Sequence, residues 1–243
     1  MPNPTAAMLV IGDEILSGRT RDANMHHLAQ ELVKVGIDLK EVRVVSDDPD
    51  AIIAAVNDLR ASFGTVITSG GIGPTHDDIT ADCIARAFGV SIDVRADARK
   101  ILEDRYALMG TEINESRLRM ARIPDTATLI ENPVSGAPGF TLENVHVMAG
   151  VPSVFQAMVA SVLPTLASGQ PLLGQTLRID RGEGDVAAPL AALAAQFPML
   201  SVGSYPFQQN GAYGTNIVIR GVDGAIVDDA MAKLAALFPG DND

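Results

Sequence analysis

The residues best suited to chemistry lie in one stretch, Thr68–Thr80, which reads TSGGIGPTHDDIT. Its glycines let backbone N–H groups approach an anion closely, and positive φ angles cost a glycine little. Two carboxylates, Asp77 and Asp78, follow them. A phosphate bound by the glycines would lie beside these carboxylates, an arrangement that favours a divalent metal (Mg, Mn or Co) between them. The stretch therefore predicts a phosphate site with a metal.

The elements on either side of the stretch would position it. The run Thr65–Thr68 is typical of a β-strand, and Ile79–Phe88 has helical spacing. Ligands collect at the carboxyl ends of strands in open α/β sheets, and a helix that begins near Asp77 and Asp78 would direct its positive dipole end to the same place. An alternative stays open: the stretch forms only a tight strand-to-helix turn, with one of the two aspartates as the N-cap.

Composition excludes several classes of protein. The 243 residues are 47% hydrophobic and 20% charged, which is typical of a globular protein with a substantial core. A net charge of −12 argues against nucleic acid or an anionic membrane as the main partner. No run of about 18 apolar residues and no signal peptide is present, so a cytoplasmic location is expected. The single cysteine, Cys83, excludes an internal disulfide and is predicted to pack in the core.

The full thirteen-residue string closely resembles the glycine-rich signature of molybdopterin-binding, MoaB/Mog-like domains. Its Asp-Asp-x-Thr ending resembles the N-terminal domain of competence/damage-inducible protein A, the CinA type. The resemblance implies an α/β fold, a three-layer and mostly parallel sheet with helices on both faces, followed by a small α+β domain. Full-length CinA proteins carry a further nicotinamide-nucleotide amidase domain. Since this chain ends at Asp243, no amidase activity is expected.

Further segments resemble the same family. Gly12–Gly18, GDEILSG, follows the apolar run Ala6–Ile11 and is similar to the family's first motif, which lines the same pocket. The spacing of the acids and glycines in Gly12–Gly18 is, by itself, also compatible with a solvent-exposed loop between a strand and a helix. An acid at the end of the second strand is implied to face the glycines; Asp47 is aligned with it, with Asp48 nearly as good. The resemblance continues through the Gly/Pro-rich segment Asn132–Gly139 and through Ala149–Pro152.

The resemblance, together with the negative charge that a diphosphate would bring into this acidic protein, suggests roles for individual residues. Asp78 and Asp47 would be catalytic and hold the metal, and Asp13 is a further catalytic candidate. If Asp47 and Asp78 lie close together, either they share a metal or one of them has a raised pKa. The implied substrate-binding residues are Gly12, Glu14, Asn24, Ser69, Gly70, Gly71, Gly73, Pro74, Thr75, Asp77, Thr80, Asn132, Gly139, Gly150 and Pro152.

The chain divides into two predicted domains, residues 1–168 and 172–243, around the linker Ala167–Pro171. The second domain has a β-α-β-β-α order, which fits antiparallel strands with helices on one face. Glu183, Asp185 and Ser204–Pro206 match family segments there and are interpreted as structural turns.

The part of the chain between Arg95 and Arg122 is rich in arginine. A solvated face or an oligomer contact is one interpretation of these residues. The other is that one or two arginines clamp phosphates, for which the planar guanidinium group is well suited.

Three functions remain as hypotheses. The first is a metal-dependent, pyrophosphatase-like hydrolase that cleaves the diphosphate of ADP-ribose or a dinucleotide such as FAD. The second is a molybdopterin-binding or adenylylating protein of cofactor biosynthesis. The third is a binding module without turnover, because fold alone never proves activity. The expected partner is a nucleotide or pterin, and a homodimer or homotrimer is expected.

Overall fold

The computed structural model describes residues 2–209 and 211–240. The chain forms two compact units, one up to Gly169 and one from Gln170 onward. Elements of the first unit are β1 Thr5–Ile11, α1 Asp13–Leu16, α2 Asn24–Lys34, β2 Asp38–Val45, α3 Pro49–Ser62, β3 Thr65–Ser69, α4 Thr80–Phe88, β4 Ile92–Val94, α5 Ala96–Leu108, α6 Glu115–Leu118, β5 Arg122–Pro124, β6 Thr128–Ile130, β7 Gly139–Leu142, β8 Val145–Met148 and α7 Pro152–Val162. Single 3₁₀ turns follow α6, at Arg119–Ala121, and α7, at Leu163–Thr165.

The main sheet has six strands in the order β2-β1-β3-β8-β7-β6. The first four are parallel to one another, and β7 and β6 are antiparallel to their neighbours. The chain moves from β1 to β2 on one side and to β3 on the other, so the order reverses at β1. A crevice at such a reversal, beyond the carboxyl ends of the strands, is where open α/β sheets bind ligands.

Strand β1 is buried on both faces, as its uninterrupted apolar sequence predicts. Its odd-numbered residues, such as Leu9, pack into a cluster with Ile52 of α3 and Ile84 of α4. Its even-numbered residues, such as Met8, pack against Phe155 of α7 and other residues on the opposite face. The expected mostly parallel sheet between two helical layers is confirmed.

The second unit is a small α+β layer, as expected. Its strands form an antiparallel sheet in the order β10-β11-β9, and its helices α8 and α9 share one hydrophobic cluster with the sheet. Ile217 and Ile219 of the central strand are fully buried in that cluster. The elements are β9 Leu173–Ile179, α8 Glu183–Gln196, β10 Ser201–Gln209, β11 Ala212–Gly221 and α9 Gly224–Leu237.

The interpretation of Glu183, Asp185 and Ser204–Pro206 as turns is wrong, because the first two lie in the first turn of α8 and the last three lie within β10. Other local differences from the expected elements concern short pieces. The first loop contains the one-turn helix α1, and β4 pairs with β5 in a separate two-stranded sheet. Cys83 is buried as predicted, and burial raises the pKa of its thiol to about 11. Within residues 2–209 and 211–240, no helix is both long enough and apolar enough to cross a membrane.

Candidate functional site

Four parallel strands end at one cavity of about 670 Å³. Gly12, Gly70 and Ala149, which directly follow β1, β3 and β8, contribute to its wall, as does Asp47, two residues beyond the end of β2. Parallel strands present their carboxyl ends at the same edge of a sheet, so residues distant in sequence meet there. The crevice expected from Gly12–Glu14, Asp47 and Gly70–Asp78 is therefore present, although Asp13 and Thr75 lie outside its wall. Its volume is in the range of small-molecule sites, about 300–1,000 Å³.

The glycine loop owes its path to two left-handed residues. Gly70 has φ 111° and Gly71 has φ 68°, a region that side chains other than glycine rarely adopt. A Cβ on Gly71 would lie 2.1 Å from the Thr80 Oγ1 atom, so no side chain fits there. Thr80 is fully buried; its hydroxyl donates to the Gly70 carbonyl (3.0 Å) and its N–H to the Gly71 carbonyl (2.9 Å). Thr80 thus braces the loop from behind and is not part of the cavity wall.

The Asp78 side chain is hydrogen-bonded within the second half of the glycine loop. Its Oδ2 atom accepts hydrogen bonds from the Thr75 N–H (2.8 Å) and the Thr75 hydroxyl (2.5 Å). Helix α4 therefore does not begin at Asp77 or Asp78: its N-cap is Ile79, with no side-chain cap. The N–H of Thr80, the first residue of this helix, donates to the Gly71 carbonyl, so this N–H group serves the loop. Gly73, Pro74, Asp77 and Asp78 all line the cavity.

The structure distinguishes Asp47 from Asp48. The Asp48 carboxylate caps α3, accepting from the N–H groups of Asp50 (3.1 Å) and Ala51 (2.9 Å). Asp47 faces the cavity, and its Oδ2 atom accepts from the Asp13 N–H at 2.9 Å. Asp13 thus contributes its backbone here.

Negative charge is crowded around Asp47. Burial is the main cause that raises the pKa of Asp47, and the carboxylates of Asp13, Glu14 and Asp77 raise it further. The Asp13 hydrogen bond opposes that shift only in part. A raised carboxyl pKa in a cleft is typical either of a group that transfers protons or of a site that binds a cation.

The cavity wall offers oxygen ligands but no complete metal cage. Among the described residues, no group of three or more His, Cys, Asp or Glu side chains is arranged to hold a metal ion. Mg²⁺ is commonly bound by one or two carboxylates together with substrate phosphates and water. Asp47 and Asp78 both line the cavity and are oxygen donors of that kind, and the hydrogen bonds to Asp78 described above use only its Oδ2 atom. The carboxylates that act on Asp47 are those of Asp13, Glu14 and Asp77.

The N-terminus of α7 also lies at the cavity. Gly150, Val151 and Pro152 line the wall, with Val151 as N-cap and Pro152 as the first helical residue. The positive end of an eleven-residue helix favours a bound anion.

Asn24 and Ser69 lie together in a side cavity of about 70 Å³ that shares wall residues with the main one, among them Glu14 and Gly150. Both side chains are buried. The Asn24 Nδ2 atom donates to the Ser69 Oγ atom and to the Gly150 carbonyl, each at 2.8 Å.

Besides Thr75 and Thr80, two further residues expected to bind the substrate have structural roles. Gly139 begins β7 and does not line the cavity; a Cβ there would lie 2.4 Å from the Val147 carbonyl, so the close strand pairing requires glycine. Asn132 lines the cavity, but its amide is used within its own loop. It accepts from the N–H groups of Val134 and Ser135 and donates to the Ser135 hydroxyl and the Ala137 carbonyl.

The structure adds residues to the cavity wall that sequence reasoning did not assign. Arg19 brings the one basic side chain among the described wall residues. Its position directly after GDEILSG was an available signal. Met120 enters from a distant part of the chain, and no local pattern could have placed it. The other additions are Ile11, Thr20, Ile72, Ser135, Ala137, Ala149, Val151 and Val154.

The arginines of residues 95–122 mostly have protein partners. Arg99 pairs with Glu103, Arg95 with Asp97 and Arg122 with Asp82. Arg119 comes nearest the glycine loop, donating to the Asp78 carbonyl at 3.3 Å. These partners agree with the interpretation of a largely structural or solvated segment.

Residues 7–168 match the family described as "Probable molybdopterin binding domain", and residues 171–242 match "FAD synthase, middle domain". The chain belongs to the molybdopterin-binding domain family. Its C-terminal unit is of the FAD synthase middle-domain type and is not an amidase domain.

Relatives and a solved structure agree with this membership. A "Probable FAD synthase" of Caenorhabditis elegans is 33% identical over 97% of this chain, and the chain spans half the length of that relative. A "CinA-like protein" of Gemmatimonas aurantiaca is 35% identical over 70% of this chain and 42% of its own length. The crystal structure of a CinA protein "with unknown function" from Thermoplasma acidophilum is 31% identical, with a TM-score of 0.63, and covers 68% of this chain and 99% of that one.

Proposed function

We propose that this protein hydrolyses the phosphoanhydride bond of ADP-ribose or of a dinucleotide such as FAD with the help of a divalent metal. The observation that carries the proposal is the composition of the main cavity. Glycine-loop backbone and a helix N-terminus, both suited to phosphate, lie beside the carboxylates Glu14, Asp47, Asp77 and Asp78. The name of the C. elegans relative, a "Probable FAD synthase", supports a nucleotide of this kind.

The charge of the wall explains why a metal is part of the proposal. A diphosphate brings about two negative charges to a cavity with four carboxylates and one guanidinium group. A divalent cation such as Mg²⁺, Mn²⁺ or Co²⁺, held by Asp47 and Asp78, would offset this charge and polarise the phosphoryl oxygen.

The reaction is a simple hydrolysis. Water adds to one phosphorus, the bridging P–O bond breaks, and two phosphate monoesters leave with release of a proton; one of the two is AMP. The glycine loop and the start of α7 would bind the phosphates. Asp47 would orient the water, which the cation held by Asp47 and Asp78 would polarise. Asp13 is the weaker candidate since it donates its N–H to Asp47 and lies outside the wall.

Pterin binding is the second candidate, in keeping with a role in molybdenum cofactor biosynthesis. The match of residues 7–168 to a molybdopterin-binding family supports it, and the same cavity would accept that ligand. A binding module without turnover would use the cavity in the same way.

The test is release of AMP from ADP-ribose and from FAD with Mg²⁺, Mn²⁺ or Co²⁺, and its reversible loss with EDTA. Asp78→Asn should lower turnover at least about a hundredfold, roughly 2.7 kcal/mol of barrier. Asp82→Asn is the matched control, since Asp82 pairs with Arg122 away from the main cavity and should leave turnover intact.

A further variant separates direct action from loop support. Thr75→Val removes the hydroxyl that donates to Asp78 but keeps the carboxylate. It should lower turnover far less than Asp78→Asn; equal losses would mean that Asp78 serves the loop conformation. Absence of AMP from both compounds with every metal would reject hydrolysis and favour pterin binding.

A further inference from the structure

Arg19 brings a positive charge to a cavity wall that is otherwise acidic. The wall also carries the carboxylates of Glu14, Asp47, Asp77 and Asp78. In the part of the chain that the structure describes, the Arg19 side chain nevertheless forms neither a hydrogen bond nor an ion pair. Because Arg19 is exposed, a ligand in the main cavity can reach its guanidinium group.

Other arginines of the chain do pair with a neighbouring acid. Arg43 pairs with Glu41 at 2.7 Å. Arg122 pairs with Asp82 at 2.5 Å. Exposed ion pairs contribute little to stability, because they also restrict two long side chains. The fold therefore does not use the side chain of Arg19, and its charge is left for the cavity.

The first loop holds Arg19 at the cavity through backbone hydrogen bonds on both sides of it. The Gly18 N–H donates to the Ile15 carbonyl (3.1 Å), and the Thr20 N–H donates to the Glu14 carbonyl (2.9 Å). Gly18 has φ 73°, in the left-handed region that favours glycine. The backbone at Arg19 is thus well defined, although its side chain has no partner among the described residues.

The neighbours of Arg19 indicate which part of a nucleotide lies nearby. Thr20 lines the main cavity together with Arg19 and also lines the side cavity. The wall of the side cavity includes Gly70 of the glycine loop and Gly150 before α7. These two elements are suited to phosphate. A guanidinium group is a planar fork that can donate two parallel hydrogen bonds to one phosphate group.

We infer that Arg19 binds phosphate oxygens of the nucleotide diphosphate, so that the protein adds a positive charge of its own to that of the metal. This rests on the proposed function for the diphosphate itself and adds a residue of the first loop to its recognition.

The test measures binding of α,β-methylene-ADP with Mg²⁺ by calorimetry. A carbon replaces the bridging oxygen of this compound, so binding is measured without cleavage. Arg19→Ala should weaken binding at least about tenfold, as expected when hydrogen bonds to a charged group are lost. Arg19→Lys keeps the charge without the fork and should bind more tightly than Arg19→Ala. Thermal unfolding of each variant checks that it is folded.

Arg21→Ala is the matched control. Arg21 is also exposed and lies two positions further along the chain, but it lines the side cavity and not the main one. Its loss should change the affinity less than about twofold, because salt screens interactions between exposed charges. Equal weakening by Arg19→Ala and Arg21→Ala would show a general effect of charge and would overturn the inference.

An Arg19→Ala protein that binds as tightly as the wild type also overturns it. If Arg19→Lys binds no more tightly than Arg19→Ala, the side chain acts through the loop and not through its charge, and the inference is wrong. A wild-type protein that releases AMP but does not bind α,β-methylene-ADP would overturn the inference and leave the hydrolase standing. Selective weakening by Arg19→Ala in a protein that releases no AMP would instead reject the hydrolase and leave the arginine site standing.

Discussion

Replacing Asp47 and replacing Asp48 should change stability in opposite directions. The pKa of Asp47 is raised, first by burial and then by neighbouring carboxylates, so its charged form is less favourable in the folded protein than in the unfolded chain. Asp47→Asn removes this charge and keeps an oxygen that can accept from the Asp13 N–H. Because Asp47 is only partly buried, the gain in unfolding free energy at pH 7.5 should stay below about 1 kcal/mol.

Asp48→Ala removes two hydrogen bonds to the backbone N–H groups of Asp50 and Ala51. Loss of such an N-cap costs about 0.5–2 kcal/mol, which lowers Tm by roughly 2–4 °C per kcal/mol in a chain of this size. AMP release should fall in Asp47→Asn and persist in Asp48→Ala. The adjacent variants would thus separate a charge that serves the site from one that serves the fold.

The pH dependence of stability also tests whether Asp47→Asn raises the unfolding free energy. In the folded protein, the pKa of Asp47 lies above its ordinary value of 3.8. The charged carboxylate therefore lowers the unfolding free energy of the wild type when the pH is above this folded-state pKa. The advantage of Asp47→Asn should shrink as the pH falls through that folded pKa. Urea unfolding followed by circular dichroism measures both effects. A loss of more than about 1 kcal/mol in Asp47→Asn at pH 7.5 would show that the carboxylate stabilises the fold and would refute the crowding argument.

Other expectations follow from single contacts. Burial lowers the pKa of His146 to about 4, so as the pH falls this histidine is protonated first in the unfolded chain, where its pKa is near 6.5. Protonation of His146 should therefore lower the unfolding free energy by about 1.3 kcal/mol between pH 7.5 and 5.5. This part of the pH dependence should be absent in His146→Gln. Thr80→Val leaves the Gly70 carbonyl without its buried donor and should cost about 1–3 kcal/mol in urea unfolding, whereas a change below about 0.5 kcal/mol would contradict the bracing role. Arg99→Ala should leave AMP release unchanged and cost under about 1 kcal/mol, because its pair with Glu103 is exposed; a large loss of turnover would favour a phosphate clamp.

The fold and the position of the cavity could be predicted because they depend on simple patterns. The apolar run of β1 predicts a strand buried on both faces, and residues that directly follow parallel strands must meet at one edge. Gly12 and Gly70, which directly follow β1 and β3, line the cavity as this pattern predicts. Which of Asp47 and Asp48 faces the cavity could not be decided, because either one satisfies the N-cap pattern of α3.

The remaining details depend on contacts between distant residues. Helix α4 begins later than its local sequence indicates, because Thr75 uses the Asp78 carboxylate and the glycine loop uses the Thr80 N–H. Gly139 was assigned to the ligand, whereas its need for glycine comes from the neighbouring strand. Met120 reaches the cavity through the fold alone, so no motif around it could have indicated the contact.

The charge of the cavity imposes a cost on the fold that the proposed metal would relieve. Asp47 lies where burial and the carboxylates of Asp13, Glu14 and Asp77 oppose its charge. A divalent cation beside these carboxylates would offset that cost. If the proposal is right, a nucleotide diphosphate would bind together with this cation. The two should then stabilise the protein by more than Mg²⁺ or the nucleotide does separately, which thermal unfolding with each ligand alone and with both together measures.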